Sequence, residues 1–142
     1  MSDIALGYWL NRAGFLMRGE LVRRFRAAGF DLTAEEFAIL NRAHLDNGPT
    51  QKEIAEKTTK DKTTMTRFID RLVKKGLLVR RPDPTDRRRA RVYLIKRGVQ
   101  TREALLPIAF GLVQDSIRGI PAGDVQVAMD VLKRISDNLA DM

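Results

Sequence analysis

The fold is decided by residues 61–76, which read DKTTMTRFIDRLVKKG. Within this stretch the apolar residues recur at the i, i+3, i+4, i+7, i+8 spacing of one helical stripe. They are Met65, Phe68, Ile69, Leu72 and Val73. Asp61 can cap the start of such a helix, and Gly76 can adopt the left-handed conformation that ends one. The stretch therefore predicts an amphipathic helix with defined ends.

The opposite face of this helix carries short hydroxyl groups followed by arginines. Its residues are Thr63, Thr64, Thr66, Arg67, Asp70 and Arg71. Hydroxyl and backbone N–H groups at a helix start suit phosphates, and the arginine fork matches the O6/N7 edge of guanine. For a lone basic helix, however, a solvated charged face is the commoner explanation. The residues that follow decide between the two interpretations.

A basic hairpin follows the helix. Residues 77–81 have strand character, residues 82–86 (PDPTD) are dense in turn-forming types, and residues 91–95 alternate again as a returning strand. The loop and the returning strand carry four arginines, which are Arg87, Arg88, Arg89 and Arg91. Such a density of guanidinium groups is repulsive unless an anion lies across it. The helix and the hairpin together therefore predict a surface that binds DNA.

Two motifs resemble those of a known family, the MarR-type winged helix-turn-helix transcription regulators. The pattern D-x-R-x-x-x-V-x-L at residues 86–94, followed by Gly98, resembles the family's wing signature. Residues 62–67 (KTTMTR) resemble the start of its recognition helix. One difference is Ile95, where the family usually carries a threonine that caps the next helix. We therefore expect the junction between wing and helix to be closed in another way.

The resemblance implies a mostly α-helical fold with a small β-wing, that is, an α/β winged helix-turn-helix. It places the DNA-binding region at residues 31–98 and a helical dimerisation region at residues 1–30 and 99–142. It also implies a homodimeric, sequence-specific transcriptional regulator that binds double-stranded DNA. In this family such a protein is most often a repressor that binds a pseudo-palindromic operator and occludes promoter DNA.

The predicted recognition helix offers contacts of two kinds. Arg67 and Thr63 would read base edges, because an arginine fork or a hydroxyl can reach them in the major groove. Lys62, Thr64 and Arg71 would hold phosphates.

The predicted wing would make further contacts. The resemblance implies that Arg88 enters the minor groove and that Asp86 holds it by an ion pair, and a narrow, strongly negative groove favours an arginine. The other arginines of the wing would add phosphate contacts. The full set of predicted DNA-binding residues is Lys62, Thr63, Thr64, Thr66, Arg67, Arg71, Asp86, Arg87, Arg88, Arg89 and Arg91.

The composition fits a soluble globular protein of one domain. The chain has 142 residues, is 44% apolar and 31% charged, and carries a net charge of +8. Between Lys60 and Arg97 there are 14 Lys and Arg against 4 Asp and Glu, a balance of +10, so the rest of the chain has a balance of −2. All of the excess positive charge therefore lies on the predicted recognition helix (the reading helix, residues 61–76) and the wing, where phosphates would neutralise it.

Several classes of protein are disfavoured. No apolar run approaches the length of a membrane span and the first residues lack the layout of a signal peptide, so we expect a cytoplasmic protein with no membrane partner. The absence of Cys excludes disulfides and Cys-based zinc sites. His44 is the only histidine and has no paired carboxylates nearby, and no nucleotide-binding fingerprint occurs. We therefore expect no catalysis, no cofactor and no metal.

The segments before the reading helix also read as helices. Residues 4–28 form one long helix whose apolar surface extends round more than one face, which predicts packing on another subunit. Residues 33–36 (TAEE) and 50–53 (TQKE) are capping boxes that open a second helix, running to about Leu45, and a short third helix that stops near residues 57–60. The short helix, the turn and the basic helix make the helix-turn-helix.

Two helices are predicted after the wing. Residues 99–118 read as a helix that Pro107 bends but does not break. A last helix follows Pro121 and carries the apolar stripe Val125, Ala128, Leu132, Ile135 and Leu139. The terminal helices would bury their apolar faces most economically in a lobe shared by two protomers, which predicts a homodimer.

Two questions stay open at this point. The alternative to DNA binding is a winged helix used as a protein-interaction module, with its basic face on an acidic partner. The resemblance also implies a small aromatic or anionic effector bound between the DNA-binding and dimerisation regions. The candidate lining residues are Trp9, Arg12, Phe15 and His44, although aromatic residues at helical spacing are more often plain core.

Overall fold

The computed structural model describes residues 2–58 and 61–142, with side chains from residue 4 onward. Within these ranges the chain forms six helices and one two-stranded antiparallel sheet. In chain order the elements are α1 (Ser2–Ala27), α2 (Ala34–Leu45), α3 (Gln51–Thr58), α4 (Lys62–Lys74), β1 (Leu78–Pro82), β2 (Ala90–Leu94), α5 (Lys96–Ser116) and α6 (Ala122–Ala140). The predicted fold class, mostly helical with a small β-wing, is confirmed.

The chain divides into two compact units, Met1–Ala109 and Phe110–Met142. The first unit contains the helix-turn-helix, the wing and the hydrophobic core. The second contains the end of α5 and the whole of α6. The finer division into residues 31–98 for DNA binding and the flanking helices for dimerisation stays a prediction.

The apolar stripe of α4 is the centre of the core in the first unit. Met65, Ile69 and Leu72 are fully buried, and Phe68 and Val73 pack against the same cluster half-buried. The cluster also takes residues from α1, α2, α3, both strands and α5, among them Phe25, Phe37, Ile39, Leu40, Ile54, Leu78, Val92 and Leu105. The spacing seen in the sequence therefore identifies the buried face of α4 correctly.

Local capping explains where α2 and α4 begin. Thr33 accepts a hydrogen bond from the Glu36 N–H (3.1 Å), and the Glu36 carboxylate accepts one from the Thr33 N–H (3.0 Å), so the predicted capping box is complete. Asp61 accepts the Thr64 N–H at 2.8 Å. At the other end of α4, Gly76 has a φ of +76°, a conformation that glycine adopts without strain.

The second predicted capping box takes a different form at the start of α3. The Thr50 hydroxyl oxygen accepts the Glu53 N–H at 3.1 Å, as in a cap. The same hydroxyl donates a hydrogen bond to the Glu53 carboxylate at 3.1 Å. Residues 59 and 60, in the segment where the short helix was predicted to stop, lie outside the described residues.

The wing is joined to the start of α3. Its strands pair in a register that runs from Leu78 opposite Leu94 to Pro82 opposite Ala90, so each predicted strand is displaced by one residue. Two residues of β2 also contact the segment just before α3. Arg91 forms a β-bridge with Thr50, and the Val92 N–H donates to the Pro49 carbonyl at 2.9 Å. Backbone contacts therefore attach the wing to the start of the helix-turn-helix.

Helix α5 begins at Lys96, three residues before the predicted start at Val99, so that boundary was wrong. The Ile95 carbonyl accepts the Val99 N–H at 3.0 Å, and the Ile95 N–H donates to the Leu77 carbonyl at 3.2 Å. Backbone bonds therefore close the junction where the family usually has a threonine cap. Gly98 lies inside the first turn of α5 and is buried against Leu77.

The remaining predictions for α5 and α6 are partly tested. Helix α5 continues through Pro107 without a break, as predicted, and the bend stays a prediction. None of the residues of α6 is buried, and five of its apolar side chains are more than 40% exposed: Val127, Met129, Val131, Leu132 and Leu139. Among the described residues, no helix has the length and hydrophobicity that crossing a membrane requires.

Candidate nucleic-acid interface

The start of α4 is fixed by Asp61. Its carboxylate accepts the Thr64 N–H at 2.8 Å and the Thr64 hydroxyl at 3.0 Å, and these bonds lower the pKa of Asp61 below its ordinary value. The hydroxyl donor of Thr64 is therefore used within the protein in this structure. Thr63 is exposed beside it.

The same face of α4 exposes three basic side chains. Lys62, Arg67 and Arg71 all lie open to solvent. The Arg71 guanidinium carbon lies 4.8 Å from the centre of the Phe68 ring, close enough for a cation–π contact that orients it. Thr66 is half-buried, and its hydroxyl donates to the Lys62 carbonyl at 3.0 Å. Helix α4 therefore presents two arginines and a lysine, with Thr66 set deeper.

At the tip of the wing, Asp86 organises two arginines. Its carboxylate accepts the Arg88 backbone N–H (3.1 Å) and the Arg88 Nε (3.1 Å), and Arg89 Nε lies 3.6 Å away. The hydrogen bond from the Arg88 side chain is the main reason that the pKa of Asp86 is lowered. The ion pair that the resemblance implied is present, while the Arg88 side chain stays 91% exposed. Arg87 is also exposed.

Arg91 is engaged inside the protein. Its guanidinium lies 3.3 Å from the carboxylate of Asp83, which is 3% exposed, and donates to the Gly48 carbonyl at 2.8 Å. Asp83 also accepts hydrogen bonds from the N–H and the hydroxyl of Thr85, both at 2.9 Å. These two hydrogen bonds are the main reason that the pKa of Asp83 is lowered. Sequence reasoning missed Asp83, although an Asp two residues before a Thr is a recognisable turn signal.

One groove brings the reading helix and the wing together. It has a volume of about 500 Å³ and is lined by Thr50, Gln51, Lys52, Glu53, Glu56, Lys62, Arg88, Arg89 and Ala90. Four of these residues are basic and two are acidic. Lys52 was not among the residues predicted to bind DNA, because nothing in the local sequence shows that the start of α3 faces the wing. The groove suits an extended anion that touches several elements in succession.

The four predicted effector residues lie elsewhere on the surface. Trp9 is 61% exposed and Phe15 is 65% exposed, and Arg12 and His44 are also exposed. None of the four lines a second cavity of the first unit, which has a volume of about 730 Å³. That cavity is lined by Arg18, Ala34, Glu35, Ala38, Ile39, Asn41, Arg42, Lys57 and Thr58. Among the described residues, no group of three or more His, Cys, Asp and Glu could hold a metal ion.

Comparison with known proteins agrees with this geometry. Residues 32–90 match the model of the MarR family. The chain is 28% identical over 134 residues to the HTH-type transcriptional repressor NicR of Pseudomonas putida, covering 94% of this chain and 83% of NicR.

Two solved structures extend the comparison, one in complex with DNA and one of a regulator that responds to a small molecule. A mutant MarR from E. coli complexed with operator DNA is 26% identical, with a TM-score of 0.85 and coverage of 94% of this chain and 95% of that one. Bordetella bronchiseptica BpsR, whose DNA binding is regulated by 6-hydroxynicotinic acid, is 25% identical, with a TM-score of 0.84 and coverage of 92% of both chains. By its match over residues 32–90 and its likeness to these structures, the chain resembles the MarR family of winged helix-turn-helix transcriptional regulators, whose members are DNA-binding proteins and not enzymes.

Proposed function

We propose that the protein is a homodimeric repressor that recognises a pseudo-palindromic operator and occludes promoter DNA in the cytoplasm, where the chromosome lies. The observation that carries this proposal is the groove shared by α3, α4 and the wing, with Lys52, Lys62, Arg88 and Arg89 on its walls. A phosphate backbone that follows this groove would meet one cation after another. The surplus of positive charge between Lys60 and Arg97 supports the same conclusion.

The contacts on DNA would be divided between α4 and the wing. Helix α4 would lie in the major groove, with Arg67 and Thr63 on base edges and Lys62 and Arg71 on phosphates. Arg88, held by Asp86 but almost fully exposed, would enter the adjacent minor groove. Arg87 and Arg89 would contact phosphates. Three of the predicted residues use their side chains in hydrogen bonds within the protein: Thr64, Thr66 and Arg91. They would contribute to DNA binding indirectly, because they hold α4 and the wing in position.

Exposed apolar side chains on two helices support a dimer. Helix α1 exposes Ile4, Tyr8, Trp9 and Phe15, each by more than half. Helix α6, in the other unit, exposes a second apolar set, of which Val127 and Leu139 are more than 60% exposed. Exposed apolar patches of this kind mark interaction surfaces, and a two-fold symmetric pair would match the symmetry of a pseudo-palindromic operator.

Arg67→Ala and Lys62→Ala should separate base reading from phosphate binding. The operator for this experiment is the duplex that the wild-type protein selects from a randomised library. We expect Arg67→Ala to weaken binding to this operator by about 1 to 3 kcal/mol and to relax the preference at one base pair of each half-site, with little change on mixed-sequence DNA. Lys62→Ala should weaken binding to both DNAs by a similar factor.

The measurement is a fluorescence anisotropy titration of each variant on both DNAs, followed by a second selection with Arg67→Ala. An equal loss on operator and mixed-sequence DNA for Arg67→Ala would show that Arg67 contacts phosphate and does not read a base.

We also infer that a small carboxylate-bearing effector controls DNA binding. The 730 Å³ cavity has three basic residues on its walls. Lys57 and Arg42 both face Asp46, at 2.8 and 3.9 Å, whereas no described carboxylate pairs with Arg18. A carboxylate in the cavity would therefore find Arg18 available. The small acid that regulates BpsR supports this class of ligand.

The effector site is tested by thermal unfolding with 6-hydroxynicotinate as the probe. Binding stabilises the folded state by about 2.7 kcal/mol when the ligand is present at 100 times its Kd. We expect the wild type and Arg12→Ala to show a rise in Tm, and Arg18→Ala to lose it. Loss of the rise in Arg12→Ala alone would instead place the site at the predicted group of Trp9, Arg12, Phe15 and His44.

A further inference from the structure

Arg80, on β1, joins the wing to both helices of the helix-turn-helix. Its Nη2 lies 2.6 Å from the carboxylate of Asp70 on α4, and the same nitrogen donates to the Thr66 carbonyl at 3.3 Å. Its Nε donates to the side-chain oxygen of Gln51, at the start of α3, at 2.5 Å. One guanidinium therefore contacts three residues on two different helices.

The network continues beyond the arginine. The Gln51 amide nitrogen lies 3.4 Å from the Thr66 hydroxyl, and that hydroxyl donates to the Lys62 carbonyl in the first turn of α4. A continuous chain of polar contacts thus links the start of α3, the first turn of α4 and the base of the wing. These are the elements that surround the basic groove.

The neighbouring arginines of the wing are placed differently. Arg80 has 29% of its side chain exposed, whereas Arg81 is exposed and Arg88 is 91% exposed. Successive side chains of a strand point to opposite faces, so Arg80 and Arg81 cannot share a role. Because the charge of Arg80 is matched by Asp70, it is poorly placed to neutralise a phosphate.

We propose that Arg80 is a positioning residue: it fixes the wing against α4 so that both can enter adjacent grooves of DNA at once. This inference rests on the proposed DNA-binding function. An exposed ion pair contributes little by itself, and Asp70 is 57% exposed. The planar fork of arginine, however, holds three acceptors in one geometry, which an isolated pair does not do. Contacts organised before binding avoid the cost of ordering them on DNA.

Asp70→Asn gives a test in which two explanations predict opposite signs. Removal of a negative charge from the DNA-facing helix should strengthen DNA binding if only the net charge matters. The positioning role predicts the reverse, with operator binding weakened by about tenfold, a size typical of coupled networks. Combining Asp70→Asn with Arg80→Ala should then cause no further loss, because the network is already broken.

Arg80→Ala should weaken operator binding by about tenfold while leaving the salt dependence of binding unchanged, because Arg80 releases no counterion from DNA. Arg81→Ala is the matched control for the loss of one positive charge from the same strand. It should change binding to operator and to mixed-sequence DNA by the same factor. Arg80→Lys keeps the charge but not the fork, so we expect it to bind the operator as weakly as Arg80→Ala.

The measurements are operator and mixed-sequence affinities across a range of salt concentrations, with the Tm of every variant as the folding control. If Arg80→Ala does not fold, Asp70→Asn and Gln51→Ala carry the test, since both keep the arginine. The proposal is overturned if Arg80→Lys restores wild-type affinity, if Asp70→Asn binds the operator more tightly, or if Arg80→Ala lowers the salt slope by about one. Failure of the proposed function would be seen separately, as wild-type protein that binds no DNA.

Discussion

Deletion of residues 124–142 is expected to abolish dimerisation and to lower operator affinity by at least about a hundredfold. The deletion removes most of α6, in which no residue is buried and five apolar side chains are more than 40% exposed. If these side chains form the dimer interface, the truncated protein can engage only one half-site. Two linked binding units gain about 10² to 10⁴ in affinity over one, and the monomer would lose this gain.

Point substitutions guard against a truncation that only aggregates. Leu132→Glu with Leu139→Glu places two charges on the exposed stripe of α6 and should also give a monomer. Asn138→Glu, a neighbouring exposed position, is the control and should remain a dimer. The measurement is the molar mass by light scattering after gel filtration, together with operator affinity. A truncated protein that remains a soluble dimer would show that α6 is not the dimerisation element.

The second large effect is expected at Gly98. A Cβ at this position would overlap the backbone carbonyl of Leu77, and that carbonyl already accepts the Ile95 N–H. Neither backbone can move without opening the junction between β2 and α5. We expect Gly98→Ala to lower the free energy of unfolding by about 3 kcal/mol, the upper end of the usual cost of overpacking. This loss exceeds the gain of about 1 kcal/mol that alanine gives in a helix.

Gly19→Ala is the matched control. Gly19 lies inside α1, and a Cβ there would meet nothing within 4 Å. It should therefore show the helix propensity effect alone, a gain of about 0.5 to 1 kcal/mol. Chemical denaturation of both variants measures the difference. Equal and small effects at the two glycines would mean that the contact between Gly98 and Leu77 does not constrain the fold.

The features that sequence predicts well here are local ones. The buried face of α4 follows from the spacing of Met65, Ile69 and Leu72, and its start follows from Asp61, because a helix stripe and a cap depend on residues within a few positions of one another. The ion pair between Asp86 and Arg88 also lies within one turn of chain. A resemblance to a known wing motif was sufficient to predict it.

The features that sequence misses depend on elements that are distant along the chain. Helix α5 starts three residues earlier than predicted, and the Ile95 N–H just before it donates to the carbonyl of Leu77, on the other side of the hairpin. Arg91 resembles its neighbours in the sequence, but the hairpin register places it beside the buried Asp83. Arg80 contacts residues 10 to 29 positions away, and no periodicity marks such contacts.

The most direct test of DNA recognition by α4 and the wing is the salt dependence of wild-type binding to mixed-sequence duplex DNA. Each phosphate that the protein neutralises adds about −0.9 to the slope of log K against log salt concentration. The proposal places four phosphate-binding residues on each protomer: Lys62, Arg71, Arg87 and Arg89. Eight such contacts in a dimer predict a slope of about −7. A slope near zero, or no binding at low salt, would contradict a phosphate-binding surface and would favour an acidic protein as the partner of the basic groove.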